Sequence, residues 1–375
     1  MKNYKNLSEL KSKNLIQMSN ISFPKTAILE LTYACNHRCR FCSCPWENTE
    51  NPQLFFEKRK ELTINDWKKA LQVLEGIGVE RVGISGGEPL LKDGLEELLR
   101  YIRSNSKLNS GRQITLISNG LALNENWLSL FRETSVHLSL SLPGLSTFAY
   151  HTGSETNTAA KVLRWLTRAK AEGLSTTANI TITKQNFHEM YEIIANALIA
   201  GADSILLNRF LFGGRGVTYQ NELSLSQSEI REMIEIAESV LKTSNRAGSI
   251  GTEIPLCLIA EDKRDSKYLS LGSLCAAAKD NGFFVIDPSG YVRACNHSPK
   301  RLGYIFDDDI ISNKDYWQTF ANRTYETPER CIGCENVSRC DCGCREAANI
   351  CYGSLSAPDP CMVSEAHKEG LLYKK

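Results

Sequence analysis

Six short apolar runs alternate with amphipathic stretches between residues 27 and 211. The runs have the length and residue types of β-strands, and the stretches between them repeat apolar residues at helical spacing. Such an alternation predicts an α/β fold with a parallel sheet and right-handed crossovers. Six units predict a partial, open (β/α)6 TIM-like barrel with its functional residues at the C-terminal ends of the strands. The predicted strands are 27–32, 81–85, 113–118, 136–142, 176–183 and 204–211, and the predicted helices are 64–77, 94–104, 124–131, 158–171 and 187–200.

Three cysteines follow the first predicted strand at once: Cys35, Cys39 and Cys42, in a C-x3-C-x2-C pattern. Three thiolates on one short loop can bind three irons of a 4Fe–4S cluster and leave the fourth iron open to a small molecule. Zinc is the alternative for clustered cysteines, but a zinc site would require a second cysteine or histidine pair at matching spacing. The pattern therefore favours an iron–sulfur cluster.

A glycine-rich turn, Gly86, Gly87, Glu88 and Pro89, follows the second predicted strand. Two glycines let a ligand approach the main chain closely. Exposed N–H and C=O groups in such a turn could hold the ammonium and carboxylate of an amino acid. A tight strand-to-helix turn without a ligand is the alternative for this motif taken alone.

The cysteine triplet, with Phe41 before its third cysteine, and the GGEP turn together resemble the radical S-adenosylmethionine (SAM) enzymes. The resemblance implies that Cys35, Cys39 and Cys42 bind the catalytic 4Fe–4S cluster and that SAM chelates its open iron. It also implies that the GGEP turn binds the methionyl amine of SAM. In this family SAM is cleaved to methionine and a 5′-deoxyadenosyl radical, which abstracts hydrogen from a C–H bond.

The same resemblance implies further SAM contacts at later strand ends, namely Ser118, Asn119, Ser139, Ser141 and Asn208. Ser139 and Ser141 share one face of the fourth strand because side chains alternate with period two. They are expected to face the barrel interior, where a polar lining with bound water is the alternative role. His151, in a stretch that resembles one in related maturases, is expected to be structural.

Seven cysteines between residues 275 and 361 have a spacing that resembles that of a SPASM domain, a C-terminal extension found in a subset of radical SAM enzymes. The resemblance implies two auxiliary 4Fe–4S clusters, which makes three clusters in all. The outer set of ligands would be Cys331, Cys334, Cys340 and Cys361, and the inner set would be Cys275, Cys295 and Cys344. The fourth iron of the inner cluster would either be bound by Cys257 or stay open. The remaining cysteines, Cys44, Cys342 and Cys351, are expected to be small buried apolar residues, with Cys342 also a possible ligand.

The domain organisation follows from these motifs, since the chain is longer than one usual domain. The predicted parts are an N-terminal extension at 1–24, the radical SAM barrel at 25–212, a linker with a bridging helix at 213–256, and the SPASM domain at 257–375. The glycines of 213–216 are predicted to form a hinge, and 283–292 a β-hairpin.

Composition is ordinary for a globular protein, with 42% hydrophobic and 23% charged residues and a net charge of +1. Interspersed charges give no basic face for nucleic acid or an anionic membrane. The N-terminal residues lack an apolar signal core, and no run of eighteen apolar residues is present. We therefore expect a cytoplasmic protein without nucleic-acid or membrane partners, in which none of the fourteen cysteines forms a disulfide and the clustered ones bind metal.

SPASM enzymes mostly modify ribosomal peptides or proteins by oxidation, cross-linking or thioether formation, so the resemblance implies a peptide maturase. Few residues precede the predicted barrel, so leader recognition is expected to reside in a separate protein, or to be unnecessary. The electron donor is expected to be a flavodoxin or ferredoxin.

Sulfatase maturation is one alternative function. In this chain Asn296 stands where an acid is usual, so His297, expected at the surface, would have to accept the proton. Oxidation or trimming of a small molecule, such as a sugar alcohol or porphyrin, is another, and a non-enzymatic scaffold is a third.

Overall fold

The computed structural model describes residues 21–47, 55–272 and 274–363. Most of the predicted N-terminal extension, 1–24, lies outside the described residues, as does 364–375 at the end of the predicted SPASM domain. All of the cysteines lie within the described residues.

Eleven β-strands of the described residues belong to one sheet. They are β1 Thr26–Glu30, β2 Arg81–Ser85, β3 Ile114–Ser118, β4 Val136–Ser141, β5 Thr176–Ile182, β6 Ser204–Arg209, β7 Gly248–Ile250, β8 Leu269–Ser270, β9 Phe283–Ile286, β10 Tyr291–Arg293 and β11 Gly303–Tyr304. Their order across the sheet is β11-β10-β9-β1-β2-β3-β4-β5-β6-β7-β8. Among the described residues the two edge strands, β11 and β8, do not pair with each other, so the barrel is open.

Helices connect successive strands, as the sequence pattern predicts. They are α1 Ile64–Gly76, α2 Leu95–Asn105, α3 Glu125–Glu133, α4 Phe148–Thr152, α5 Thr158–Ala171, α6 Met190–Ile199, α7 Gln220–Leu223, α8 Gln227–Thr243, α9 Lys314–Ala321 and α10 Arg345–Tyr352. Strands β1 to β6 pair in parallel in chain order. The six predicted strands and the partial-barrel fold class are confirmed, and each parallel pair brings two C-terminal strand ends to the same edge.

The first long helix shows how local sequence starts these elements. The predicted start at residue 64 agrees with the observed start of α1 at Ile64, and the N-cap is Thr63. The Thr63 side chain accepts from the Asp66 N–H, and the Asp66 carboxylate accepts from the Thr63 N–H at 3.2 Å. This capping box satisfies two N–H groups that the first turn leaves without partners. Trp67 and Leu71 on the same helix are fully buried against the sheet.

The chain after β6 adds strands to both edges of the barrel sheet. β7 pairs in parallel with β6, and β8 with β7. On the other edge β9 pairs in parallel with β1, and β10 and β11 follow antiparallel. The predicted hairpin is confirmed as β9 and β10. Because this hairpin continues the sheet at β1, the strand that leads to the cysteine triplet also supports the C-terminal region.

The hydrophobic core runs along the sheet and the inner faces of the helices. Leu29, Leu116, Leu138, Ile180 and Leu207, each from a different parallel strand, are fully buried. No helix of the described residues is long and apolar enough to cross a membrane.

Candidate functional site

The cysteine triplet lies on the loop that leaves the C-terminal end of β1. Cys35 is exposed, and Cys39 and Cys42 are half-buried. The main-chain N–H groups of Arg38 and Arg40 donate to carbonyls at the end of α4, each at 2.8 Å. The loop therefore has a defined path that holds its three thiols close to one another.

The pKa shifts of the three thiols reflect how close they lie to one another. Burial, with a smaller contribution from the Cys42 thiolate, raises the pKa of Cys35 to about 11. Burial also raises the pKa of Cys39, and both neighbouring thiols add to that shift. Three thiolates can share this space only when a cation lies between them, so their arrangement fits metal binding.

A 4Fe–4S cluster and a single metal ion require different arrangements of their ligands. No three cysteine, histidine or carboxylate side chains of the described residues converge on a point that could hold one metal ion. The ligands of a 4Fe–4S cluster bind separate irons and do not converge on one point. The assignment of the three thiols as ligands of a 4Fe–4S cluster therefore stays a prediction.

The GGEP turn packs directly against the chain that leads from β1 to the cysteines. A β-carbon at Gly87 would lie 2.2 Å from the Ala34 carbonyl oxygen, and Gly86 has a φ of +141°. The N–H of Gly87 donates to Thr32 at 2.8 Å, and that of Glu88 donates to Ala34 at 2.7 Å. These two N–H groups are therefore used within the protein. The carbonyls of Gly86, Glu88 and Pro89 also accept within it, from the Cys44 thiol, the Leu91 N–H and the Lys92 N–H, which leaves the Gly87 carbonyl for the predicted contact with SAM.

Glu88 joins the GGEP turn to the end of β3. Its buried carboxylate accepts from the Ser118 hydroxyl at 2.8 Å, the Asn119 N–H at 2.7 Å and the Leu90 N–H at 3.1 Å. Burial raises the pKa of Glu88 to about 7, against the effect of these hydrogen bonds. The Asn119 amide in turn donates to Asn36 at 2.7 Å. Glu88, Ser118 and Asn119 thus connect three strand ends around the cysteine loop.

The fourth, fifth and sixth strands place polar side chains on the same edge. The Ser139 hydroxyl is buried and has no hydrogen-bond partner, whereas Ser141 is half-buried. The Asn208 amide donates to the Asn179 carbonyl oxygen at 2.8 Å. The sequence analysis missed Asn179, although its position in the predicted strand 176–183 put it opposite Ser141. An unpaired buried hydroxyl is a donor and acceptor that a bound ligand can use.

The glycine-rich segment after β6, predicted as a hinge, instead packs on the cysteine loop. A β-carbon at Gly214 would lie 2.4 Å from the Cys44 carbonyl oxygen, and its φ is +48°. The Arg215 guanidinium donates to the Cys39 carbonyl at 2.9 Å and also pairs with Glu47. The segment is thus part of the site, and only its three closely spaced glycines could have indicated a close approach of two main chains.

Cys44 is one of the three cysteines that no motif uses. Cys44 is half-buried, whereas the sequence predicted it to be buried. A hydrogen bond from its thiol to Cys42 is the largest cause of the lowered pKa of Cys42. The other two, Cys342 and Cys351, are buried and half-buried respectively.

The outer set lies in the loops that precede α10 and follow it. Cys334 is exposed, Cys331 is half-buried, and Cys340 and Cys361 are buried. Cys257, predicted as one way to complete the inner set, lies near the outer set, where the N–H of the preceding Leu256 donates to the Cys340 sulfur at 3.5 Å, and its role as a ligand stays a prediction. Burial raises the pKa of Cys257, and the thiols that raise it further are those of Cys340, Cys331 and Cys334. The sequence separation of Cys257 from both sets gave no information about which one it would join.

The inner set is more enclosed. Cys295 and Cys344 are buried, and Cys275 is half-buried. Burial raises the pKa of Cys275, and the thiols of Cys295 and Cys344 both add to this shift. The structure therefore brings together three cysteines that are separated by as many as sixty-nine positions in the chain, from 275 to 344.

One carboxylate links the two sets to the barrel. Asp359 accepts from the N–H of Cys344 at 2.6 Å and from the N–H of Cys361 at 2.9 Å. It also pairs with Arg209, the last residue of β6, at 2.5 Å. Asp359 thus contacts one member of the inner set, one member of the outer set and one strand end of the barrel.

Asn296 and His297, which follow Cys295 directly, bear on the sulfatase alternative. The Asn296 amide donates to the Glu30 carboxylate at 3.2 Å, and an amide nitrogen cannot act as a base. His297 is half-buried rather than on the surface as predicted, and burial, Arg209 and Arg293 lower its pKa to about 4. His151 is buried, with its ring nitrogens bonded to a main-chain carbonyl and a threonine hydroxyl. This arrangement agrees with the structural role expected for it.

Comparisons with known proteins agree with this description. A sequence profile of the Radical SAM superfamily matches residues 29–197. The PqqA peptide cyclase of Xanthomonas campestris pv. campestris (strain 8004) is 28% identical over 360 residues, which cover 93% of this chain and 90% of that protein. The PqqA peptide cyclase of Bradyrhizobium diazoefficiens is 26% identical over 356 residues, covering 92% and 88%.

Two solved structures share the fold. Streptococcus suis SuiB bound to S-adenosylmethionine superposes with a TM-score of 0.65 at 17% identity, covering 95% of this chain and 80% of SuiB. The structure of anSMEcpe with bound AdoMet gives 0.67 at 18% identity and covers 93% of each chain. Residues 29–197 therefore form a radical SAM domain, the similarity to PqqA peptide cyclases along nearly the whole chain indicates an enzyme, and the cysteine-rich C-terminal region fits a SPASM domain.

Proposed function

We propose that the protein is a radical SAM/SPASM maturase that abstracts hydrogen from a side chain of a ribosomal peptide or protein, leading to oxidation, a cross-link or a thioether bond. The observation that carries the proposal is similarity to PqqA peptide cyclases along nearly the whole chain, beyond the radical SAM domain itself. Two proteins of the same fold were solved with peptides, SuiB with the precursor peptide SuiA and anSMEcpe with the Cp18Cys peptide.

The catalytic site would be the loop of Cys35, Cys39 and Cys42. A 4Fe–4S cluster held there with SAM supplies, when bound, the one-electron cleavage of SAM that starts hydrogen abstraction. Around it the protein orients and encloses the reactants. The Gly87 main-chain carbonyl of the GGEP turn and the unpaired Ser139 hydroxyl are the groups that we assign to SAM.

Further polar groups would complete the SAM site. Ser118 and Asn119 hold the turn through Glu88, and Asn208 is braced by Asn179. Ser141 lies at the same edge of the sheet. Phe41 packs near His151, with ring centroids 5.8 Å apart, and shields one side of the cysteine loop.

The proposed division of the chain assigns the barrel to 25–212, a connecting segment to 213–256 and the SPASM domain to 257–375. The outer and inner sets would each hold an auxiliary 4Fe–4S cluster. A flavodoxin or ferredoxin would donate the electron, and a separate protein would bind the leader of the substrate if one is needed.

Hydrogen transfer from a deuterated extract tests the proposal. Anaerobically reconstituted enzyme, dithionite and SAM are incubated with a low-molecular-weight extract of host cells grown in D2O. Deuterium should appear in 5′-deoxyadenosine, and complete proteolysis of the extract beforehand should abolish this transfer. Transfer that survives proteolysis would identify a small-molecule substrate and contradict the proposal. The Cys35/Cys39/Cys42→Ala variant, treated in the same way, measures the background.

A further inference from the structure

Two strands end in residues that form a buried ion pair, Glu30 on β1 and Arg293 on β10. Glu30 lies five positions before Cys35, the first thiol of the cysteine triplet. Arg293 lies two positions before Cys295 of the inner set. The pair therefore connects the strand that leads to the cysteine triplet with the segment that presents one thiol of the inner set.

The register of the sheet puts these two side chains on one face. Arg293 lies opposite Val285 of β9, and Val285 lies opposite Ile28 of β1. Side chains directly opposite each other share a face, and alternation with period two puts Glu30 on the same face as Ile28. The ion pair is thus a consequence of the way in which the β9–β10 hairpin joins the sheet at β1.

The Arg293 guanidinium also holds the turn that follows β10. It donates to the main-chain carbonyls of Cys295 at 3.2 Å, Asn296 at 3.1 Å and Ser298 at 2.8 Å. The Asn296 amide in turn donates to Glu30 at 3.2 Å. A guanidinium can make such a set of contacts because it carries five donors in a fixed plane, which a lysine ammonium does not. Arg293 thus fixes the main chain at Cys295 relative to the end of β1.

The surroundings of the guanidinium keep water away from its charge. Its central carbon lies 5.3 Å from the ring centroid of Phe56 and 6.0 Å from that of Trp46. A buried charge is screened less than an exposed one, so the pair acts more strongly on the neighbouring Cys295 than a surface pair would. The Arg293 Nε–H has no acceptor within the described part of the chain, and an unpaired buried donor is a group that a bound cofactor can use.

We infer that Arg293 is a positioning residue of the inner set: it holds Cys295 against the end of β1, and its charge, balanced by Glu30, sets the reduction potential of the cluster that the proposed function places there. Reduction adds a negative charge to a cluster, so a nearby cation favours the reduced form and a nearby anion opposes it. Net charge and hydrogen bonding are among the factors that set such potentials. Arg293 contacts Cys295 directly, whereas Glu30 reaches this turn through Arg293 and Asn296.

The test is a redox titration followed by electron paramagnetic resonance, on full-length protein with Cys35, Cys39 and Cys42 replaced by Ala. Reconstituted parent protein should contain about eight irons. The signal that is lost in C275A belongs to the inner cluster. E30Q should raise the midpoint potential of this signal, because the guanidinium keeps its charge and loses its counter-charge. R293Q should lower the midpoint, because the cation is removed.

Each of these two changes should alter the ratio of reduced to oxidised inner cluster at a fixed potential about tenfold, which is about 59 mV for a one-electron step. R293K keeps the charge but not the planar set of donors, so its midpoint should lie between those of R293Q and the parent. The matched control is K92Q, which removes a cation from another little-exposed ion pair, that of Lys92 with Glu61 at 2.8 Å. It should leave the midpoint of the inner cluster unchanged.

Shifts of E30Q and R293Q in the same direction, or no shift in either, would overturn the inference, because a purely structural role does not follow the sign of the charge removed. An equal shift in K92Q would also overturn it. If R293Q does not bind iron, E30Q retains the test, since its midpoint must still rise. A parent with about four irons and no signal lost in C275A would overturn the proposed inner cluster as well, whereas about eight irons without these shifts would overturn this inference alone.

Discussion

Arg209 and Asp359 form an ion pair at 2.5 Å with both side chains almost completely buried. Arg209 ends the sixth strand of the barrel, and Asp359 lies two residues before Cys361. The Asp359 carboxylate also accepts from the N–H groups of Cys344 and Cys361. The pair therefore joins the proposed SAM-binding edge of the barrel to both proposed auxiliary sites.

D359N should leave Arg209 buried without its counter-charge. Breaking a buried pair by removal of one partner costs about 3–5 kcal/mol. We expect a lower urea midpoint together with loss of iron from the C-terminal region. The control is E125Q, which removes the partner of Arg168 in an exposed pair and should change the midpoint little. Equal midpoints for D359N and E125Q would contradict the role assigned to the buried pair.

G214A should disrupt the cysteine loop. Its β-carbon would lie 2.4 Å from the Cys44 carbonyl oxygen, and the left-handed φ of +48° adds strain. We expect loss of about four irons after reconstitution and loss of SAM cleavage. G111A is the control, because Gly111 also has a positive φ, +67°, but no atom within 4 Å of a β-carbon. Full iron content and activity in G214A would show that the loop is not held by this segment.

E88Q should weaken the connection between the GGEP turn and β3. One carboxylate oxygen becomes an NH2 group that faces a donor, Leu90 N–H, Asn119 N–H or the Ser118 hydroxyl. An unsatisfied buried group costs about 1–3 kcal/mol. We expect a lower free energy of unfolding in urea and weaker SAM binding by anaerobic calorimetry. S118A, which removes one donor but leaves both main-chain bonds to Glu88, should have a smaller effect, and the reverse order would argue against this connection.

His151 should make stability depend on pH. Burial lowers its pKa to about 4, so the folded protein holds the neutral ring. Its contribution is therefore present above the ordinary histidine pKa of about 6.5 and is lost as the pH falls toward about 4. The loss is at most about 3 kcal/mol. Urea unfolding of the Cys35/Cys39/Cys42→Ala protein with and without H151Q, between pH 7.5 and 5, measures it. A difference between the two proteins that is constant across this range would contradict the prediction.

Cys342 should not be a cluster ligand, although it lies between two predicted ligands. Its N–H donates to the Cys340 sulfur at 3.3 Å, and it has a φ of +58°. We expect C342A to keep its iron and C340A to lose about four irons per chain. C257A should also keep its iron if the four cysteines of the outer set are the ligands. Loss of about four irons in C342A or C257A would show that the assignment of the outer set is wrong.

The sequence by itself determined the strands and helices of the barrel and the motifs at the strand ends. Each of the six predicted strands overlaps the observed one, because apolar periodicity reports which face a segment buries. The positions of Cys35 and Gly86 at adjacent strand ends followed from the parallel order of β1 and β2. The hairpin of β9 and β10 was also predictable, since its turn residues lie next to each other in the chain.

Only the tertiary structure decided which distant residues meet. The contact of Gly214 with Cys44 and the placement of Cys257 near the outer set both depend on how separate loops pack. Periodicity and spacing describe neighbours within one element, whereas these contacts close long loops whose geometry is set by the whole sheet. The strand ends define where the chemistry lies, and the packing of loops from β6, β7 and the C-terminal region defines which side chains take part in it.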